Sequence, residues 1–214
     1  DHDRSIGAAM PVTFTQRGNP AMYFNSSAQV YGKPVKVIHA GEWHVSNSDE
    51  MVLTILGSCV AVCIHDPVNR VSGMNHFMLP GRISDRDISG EKTARYGITA
   101  MKILLKNLAG LGADRSSMRA MIFGGGAMLT PPAGYTGLGE PLPDLNVRIA
   151  KLFLEMEDIQ LDQSDTGGSF SRKIMMDVRS GKVFMRKKTR MEDLRVREPP
   201  FLDQVPVETI RACL

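Results

Sequence analysis

Residues 51–79, MVLTILGSCVAVCIHDPVNRVSGMNHFML, carry the pattern that decides the fold. Met51–Leu56 is a short apolar run with several β-branched residues, which predicts a buried strand. Residues 60–65 and 71–79 are two more strand-like runs, and the turn-forming pair Asp66-Pro67 stands between them. We therefore expect three consecutive antiparallel strands arranged as a β-meander.

The regions on either side of this stretch add two helices and further strands. Apolar residues recur at helical spacing over 93–111 and again over 145–156. Strand patterns occupy the remaining segments of the same region, which are 35–39, 118–123, 159–165 and a hairpin formed by 172–178 and 182–187. This order predicts an α+β domain in which mainly antiparallel strands are covered by two helices.

Both ends of the chain differ in composition from the central region. Residues 1–32 show neither a strand nor a helix period, so we expect an irregular N-terminal extension. Residues 191–214 place Pro199-Pro200 and Pro206 within charged sequence, which predicts a C-terminal tail. A chain of 214 residues can build one sizeable core, and we assign that core to a single domain over 33–190.

Composition narrows the class of protein. The chain has no apolar run long enough to span a bilayer and no secretion signal, which favours the cytoplasm without membrane insertion. Three cysteines argue against a disulfide framework and for a reducing compartment. The net charge of +3 and a basic cluster confined to 186–190 do not indicate nucleic-acid binding. Nothing in the composition requires more than a monomer.

Cys59 stands directly after the turn-forming pair Gly57-Ser58, between two predicted strands. Such a turn can expose a side chain and leave backbone N–H groups free to face it. A thiolate there could attack a carbonyl carbon while those groups stabilise the resulting oxyanion. The alternative is a buried core cysteine, since free cysteine is among the most buried residue types.

His76 is a lone histidine inside an apolar strand. A strand returning from the Asp66 turn could bring His76 beside Cys59, where an imidazole would lower the thiol pKa and later carry a proton to a leaving amine. A hydrogen-bonded core histidine is the alternative interpretation.

Two other constellations suggest cofactors and are weaker. Cys59, Cys63 and His65 share one face of an unbulged strand and, with His76, could supply zinc ligands, but their spacing matches no strong zinc signature. Gly124-Gly125-Gly126 lacks the Lys-Ser or Lys-Thr ending of a phosphate-binding loop, so we interpret it as a close backbone approach or a tight turn. We expect neither a metal nor an organic cofactor.

Several of these segments, in this order, resemble the CheD family. The resemblance begins with residues 56–63 and the pair Asp66-Pro67, and continues through Met74-Asn75-His76-Phe77-Met78-Leu79-Pro80. Further matching segments are 96–112, 124–128, Asn146-Val147, Asp165-Thr166-Gly167-Gly168 and Ser180-Gly181-Lys182. The similarity covers roughly residues 35–190 and implies an α/β/β layered sandwich similar to that of certain glutamine-deamidating bacterial toxins.

The resemblance implies a protein-glutamine deamidase that acts on the cytoplasmic domains of methyl-accepting chemotaxis receptors. The family's nucleophile falls on Cys59 and its catalytic histidine on His76. Its third residue, a threonine six positions before the cysteine, falls on Leu53, so Thr54 is shifted by one position. Because neighbouring strand residues face opposite ways, we expect Thr54 to need a bulge or a shifted register to orient His76.

An alternative within the same family is a non-catalytic regulator that binds a CheC-type phosphatase, a partner that the resemblance also implies. The displaced threonine favours this alternative, whereas the presence of both Cys59 and His76 favours the enzyme. The Pro- and Gly-rich loop over 130–143 could shape the surface that docks the receptor.

Overall fold

The computed structural model describes residues 13–15, 29–30, 32–80, 93–127 and 141–188. Within these ranges the chain forms two α helices, α1 (Gly97–Gly110) and α2 (Leu142–Met156), and two sheets of six and five strands. The strands are β1 (Thr13–Thr15), β2 (Gln29–Val30), β3 (Lys33–Val37), β4 (Trp43–Ser46), β5 (Met51–Leu56), β6 (Val60–Asp66), β7 (Val71–Phe77), β8 (Arg119–Gly124), β9 (Gln160–Thr166), β10 (Ser171–Asp177) and β11 (Val183–Lys188).

The strand order is β1-β4-β7-β6-β8-β9 in the first sheet and β11-β10-β5-β3-β2 in the second. Only two of the described strand pairs are parallel, β3 with β5 and β8 with β9. The α+β class and the mainly antiparallel strands are therefore confirmed. Neither of the described helices is long and apolar enough to cross a membrane.

The expected β-meander is wrong in one respect. β6 and β7 form an antiparallel pair in the first sheet, but β5 lies in the second sheet between β10 and β3. The bend at 57–59 therefore carries the chain from one sheet to the other. β5 is apolar and largely buried on both faces, so its pattern identifies a strand but not its neighbours, of which β10 comes from a distant part of the chain.

Alternation along β6 separates two cores. Val60, Val62 and Ile64 pack with residues of both helices on one face of the first sheet. Cys59, Ala61 and Cys63 face the other way and pack with residues of the second sheet. The result is a layer of helices, a six-stranded sheet and a five-stranded sheet, the α/β/β order that the family resemblance implied.

Several element boundaries differ from the expected ones. The helix expected over 93–111 begins with a 3₁₀ turn at Thr93–Arg95 before α1, and α2 begins at Leu142 instead of residue 145. Pro143 occupies the first turn of α2, where its missing N–H costs nothing. β4 was not expected, since two of its four residues, His44 and Ser46, are polar although they are buried.

The terminal segments fall mostly outside the described residues. β1 and β2 lie within the N-terminal segment 1–32, which therefore contains two short strands. The tail over 191–214 and most of the loop over 130–143 lie outside the described residues, so their expected roles stay predictions.

The turn between β6 and β7 is held by the buried carboxylate of Asp66. It accepts hydrogen bonds from the backbone N–H groups of Val68, Asn69 and Asp114 and from the hydroxyl of Ser117. Burial alone would raise the pKa of Asp66, but these hydrogen bonds and one from the Asn69 side chain hold it well below its usual value. The turn is thereby fixed to the segment that follows α1.

Candidate active site

Cys59 lies at the point where the chain crosses between the sheets, and it is only 2% exposed. The Gly126 N–H donates to the Gly57 carbonyl and the Gly125 N–H donates to the Cys59 carbonyl, each at 2.8 Å. The glycine segment at the end of β8 therefore holds the bend on both sides of Ser58.

Gly124 explains why that segment contains glycine. Its φ is +109°, a backbone conformation that side-chain-bearing residues rarely adopt, and a Cβ there would overlap the Cys59 carbonyl oxygen. This confirms the interpretation of Gly124-Gly125-Gly126 as a close backbone approach, and it is an approach to the Cys59 bend in particular.

His76 lies on the same face of the first sheet as Cys59. It is directly opposite Ala61 in the antiparallel pair of β6 and β7, and Cys59 is two residues before Ala61. Directly opposed residues share a face, as do alternate residues along a strand, so the side chains of Cys59 and His76 form a diagonal pair. Such pairs have backbones roughly 7–8 Å apart, within reach of long side chains.

The backbone of His76 is fixed by the segment that precedes β4. The His76 N–H donates to the Glu42 carbonyl at 2.9 Å, and the His76 carbonyl accepts from the Gly41 N–H at 2.7 Å. With β6 on its other side, His76 is held at the centre of the sheet, where it is 1% exposed.

Thr54 reaches His76 from the second sheet. Its hydroxyl oxygen lies 2.8 Å from His76 Nδ1, and its hydroxyl hydrogen is donated to the Ile38 carbonyl at 2.8 Å. A hydroxyl has a single hydrogen, so Thr54 must accept from a protonated Nδ1. In the neutral ring, Nε2 is then the nitrogen that can accept a proton.

The expectation that Thr54 needs a bulge or a shifted register is wrong. β5 pairs in unbroken register with β3 and with β10, and Thr54 is opposite Ile174. Ile174 belongs to the core between the two sheets, as do Val52 and Leu56, so the even-numbered face of β5 points toward His76. A threonine at position 53 would point away from the histidine.

Cys63 and His65 do not join this group. Cys63 is fully buried, and burial raises the pKa of its thiol well above the usual value. His65 Nδ1 lies 2.8 Å from the hydroxyl of Ser72. In the described part of the chain, no three His, Cys, Asp or Glu side chains are arranged to hold a metal ion, so the zinc alternative finds no ligand set there.

Two buried polar residues near the site were not assigned a role from the sequence. Arg172 is fully buried. In the sequence it alternates with Ile174 and Met176, and an arginine at such an inward-facing position could have identified it as a residue with a special role. Asn146 of α2 is 1% exposed and donates from Nδ2 to the carbonyl of Met78, two residues after His76. Asn146 therefore fixes the end of the histidine strand to the helix layer.

Comparison with known proteins gives a family match. The family model described as "CheD chemotactic sensory transduction" matches residues 78–187. A solved structure of the hypothetical protein YfiH of Bacillus licheniformis covers 56% of this chain and 48% of its own, at 16% identity and a TM-score of 0.33, which is too distant to carry an argument.

Curated relatives extend the match toward the N-terminus. A protein of Herminiimonas arsenicoxydans named "Probable chemoreceptor glutamine deamidase CheD" is 36% identical over 74% of this chain and 76% of its own length. Proteins with the same name from Laribacter hongkongensis and Burkholderia mallei are 40% and 34% identical, over 69% and 83% of this chain and 69% and 70% of their own lengths. The chain therefore belongs to the CheD family.

Proposed function

We propose that this protein is a chemoreceptor glutamine deamidase in which Cys59 is the nucleophile, His76 the proton carrier and Thr54 the residue that orients His76. The observation that carries the proposal is the 2.8 Å contact between Thr54 and His76 Nδ1, on the sheet face that also presents Cys59. Family membership and the names of the curated relatives support the same activity.

The reaction begins when His76 Nε2 takes the proton of the Cys59 thiol. The thiolate attacks the carboxamide carbon of a receptor glutamine, and backbone N–H groups around Ser58 and Cys59 stabilise the oxyanion. The carbon–nitrogen bond then breaks as His76 gives the proton to the departing nitrogen, which releases ammonia and leaves a thioester.

Water completes the cycle. His76 takes a proton from a water molecule, and the hydroxide attacks the thioester carbon. The carbon–sulfur bond then breaks as His76 returns the proton to the sulfur, which restores the Cys59 thiol and leaves a glutamic acid side chain that ionises to glutamate. Throughout, the hydrogen bond from Nδ1–H to Thr54 holds the imidazole in one tautomer and stabilises the imidazolium that forms. This mechanism uses no metal or organic cofactor.

The environments of the two described cysteines support Cys59 as the nucleophile. Cys63 is fully buried in the core between the sheets, and burial raises its thiol pKa, so little thiolate forms at neutral pH. Cys59 stands instead at a bend between strands, on the same sheet face as His76. Both thiols face the core between the sheets, and the one at the bend, beside the Gly124–Gly126 segment, is the one proposed to react.

The non-catalytic alternative loses its main argument. A regulator that binds a CheC-type phosphatase was favoured by a threonine displaced from the site, yet Thr54 contacts His76 directly. The proposal includes the cytoplasm as the location, receptor cytoplasmic domains as substrates and a monomer as the working unit.

The test is to incubate the purified protein with receptor cytoplasmic fragments and to measure ammonia release together with the intact mass of the fragments. Deamidation adds about one dalton per glutamine, and C59A and H76A should each abolish it. C63A is the matched control, because it removes the other described thiol from the same face of the first sheet. Unchanged rates in C59A would exclude the mechanism, and receptor or phosphatase binding without any mass change would favour the regulator.

A further inference from the structure

Arg172 is a fully buried cation whose hydrogen bonds lead toward Cys59. Its side chain is 1% exposed, Nε donates to Asp165 Oδ1 at 2.9 Å, and Nη2 donates to the Gly167 carbonyl at 2.8 Å. Arg172 is opposite Leu56, the last residue of β5 before the Cys59 bend. The guanidinium therefore lies in the layer between the sheets, at the end where the chain crosses.

The third nitrogen of this guanidinium, Nη1, is buried and has no hydrogen-bond partner among the described residues. A donor that stays unpaired on a buried charge is costly. An apolar residue at position 172 would avoid that cost and would continue the alternation of Ile174 and Met176. The presence of arginine thus points to a role other than stability.

The charge of Arg172 is shared within a small cluster. Asp165 also accepts an ion pair from Lys187 at 2.8 Å, and the ring of Phe170 has Arg172 at 4.6 Å and Lys187 at 4.7 Å from its centre. The side chain of Lys187 is 43% exposed, whereas that of Arg172 is buried. Of these two cations, only Arg172 donates a hydrogen bond to the Gly167 carbonyl.

From Gly167 a continuous set of backbone hydrogen bonds reaches the nucleophile. The Gly167 N–H donates to the Gly124 carbonyl at 3.0 Å, and the next residue, Gly125, donates to the Cys59 carbonyl at 2.8 Å. The Gly168 carbonyl accepts from the Ala127 N–H at 2.8 Å, which secures the other end of the glycine segment.

We propose that Arg172 is a positioning residue for Cys59, acting through the Gly167 turn and the Gly124–Gly126 segment. The planar guanidinium fixes the Gly167 carbonyl and the Asp165 carboxylate in two set directions, which an ammonium cannot do. The glycine segment is thereby kept at the distance from the Cys59 bend at which the thiol is aligned with His76. This inference rests on the proposed function only for its activity readout.

The first test compares R172K with K187A. R172K keeps the buried charge but loses the planar guanidinium that donates in two fixed directions. We expect kcat for receptor deamidation to fall by at least 10-fold while KM stays within twofold. K187A removes the other cation on Asp165 and Phe170 and should retain the kcat of the unaltered protein. A kcat within twofold in R172K, or a loss that appears only in KM, would overturn the proposal.

A second pair of variants covers the case in which R172K does not fold. Gly167 and Gly112 have φ values of +72° and +85°, and a Cβ at either would meet nothing within 4 Å. G167A and G112A therefore introduce the same kind of backbone strain. G167A introduces it at the turn that is hydrogen-bonded to Arg172, and G112A introduces it just after α1. Only G167A should lose kcat, and equal losses in both variants would show that the effect is general destabilisation.

The third readout does not depend on deamidation. If the Cys59 bend is loosened, a residue that is 2% exposed becomes more accessible, so iodoacetamide should alkylate Cys59 several-fold faster in R172K and G167A. Peptide mass mapping would measure this in the absence of receptor, with G112A and K187A as controls. Alkylation rates that are equal in all variants would refute the positioning role, even if the unaltered protein proved not to be a deamidase.

Discussion

Thr54 and His76 are in hydrogen-bond contact at 2.8 Å although they belong to different sheets. The candidate site is therefore not built on one sheet. His76 comes from the first sheet, Cys59 comes from the bend that leads into it, and the hydroxyl that fixes the imidazole comes from the second sheet. Packing of the two sheets sets the tautomer of the proposed base, so the core between them serves both stability and chemistry.

T54V tests that relationship directly. Valine keeps the shape of the side chain and removes the hydroxyl, which leaves His76 Nδ1 and the Ile38 carbonyl without this partner. We expect kcat to fall by roughly 10- to 100-fold, less than the full value of general acid–base catalysis, and stability to fall by about 1–3 kcal/mol. Steady-state ammonia release and urea unfolding would measure the two effects.

T54S is the control for that experiment, since serine retains the hydroxyl. It should recover most of the lost kcat. If T54V deamidates receptors as fast as the unaltered protein, the orienting role of Thr54 is excluded.

G124A tests the close approach of backbone to the Cys59 bend. The added Cβ would overlap the Cys59 carbonyl oxygen, which is backbone and cannot rotate away, so the bend must move. We expect a loss of activity larger than the loss of stability explains. G32A is the matched control, because Gly32 also has a positive φ, +74°, and open space around it, so it should lose only about 1–3 kcal/mol of stability. Equal activity in both variants would contradict the argument.

Local sequence pattern predicted the elements better than their partners. The strand Met51–Leu56 and the helix–strand–helix order were predicted from hydrophobic periodicity, because periodicity indicates which residues a segment buries. It does not report which strand lies alongside, and β5 takes its neighbours from the far ends of the domain. The error over Thr54 has the same origin, since the face that meets His76 is decided by sheet-on-sheet packing.

C63A tests the division of roles between the two buried thiols. Cys63 is fully buried and its pKa is raised, so iodoacetamide should label it only after unfolding, and its replacement should leave deamidation unchanged. A stability loss of about 1 kcal/mol is expected from the smaller side chain. Peptide mapping with and without urea would separate Cys63 from Cys59. Loss of deamidation in C63A with the fold intact would revive the zinc alternative.

Asp66 predicts how stability depends on pH. Burial alone would raise the pKa of Asp66, but hydrogen bonds from Asn69, Ser117 and the Asp114 N–H outweigh it and depress the pKa in the folded protein. The contribution of Asp66 to folding stability is therefore complete above its unfolded pKa of about 4 and declines as the pH falls below that value. D66N should cost about 1–3 kcal/mol at pH 7 and pH 5, and less at pH 3, where Asp66 of the unfolded chain takes up a proton while the folded carboxylate stays ionised, so the unaltered protein loses part of this contribution. Urea unfolding at the three pH values measures this. D49N, at a side chain that is 65% exposed, should change stability little at any of them, and a D66N deficit that does not shrink at pH 3 would contradict the assignment.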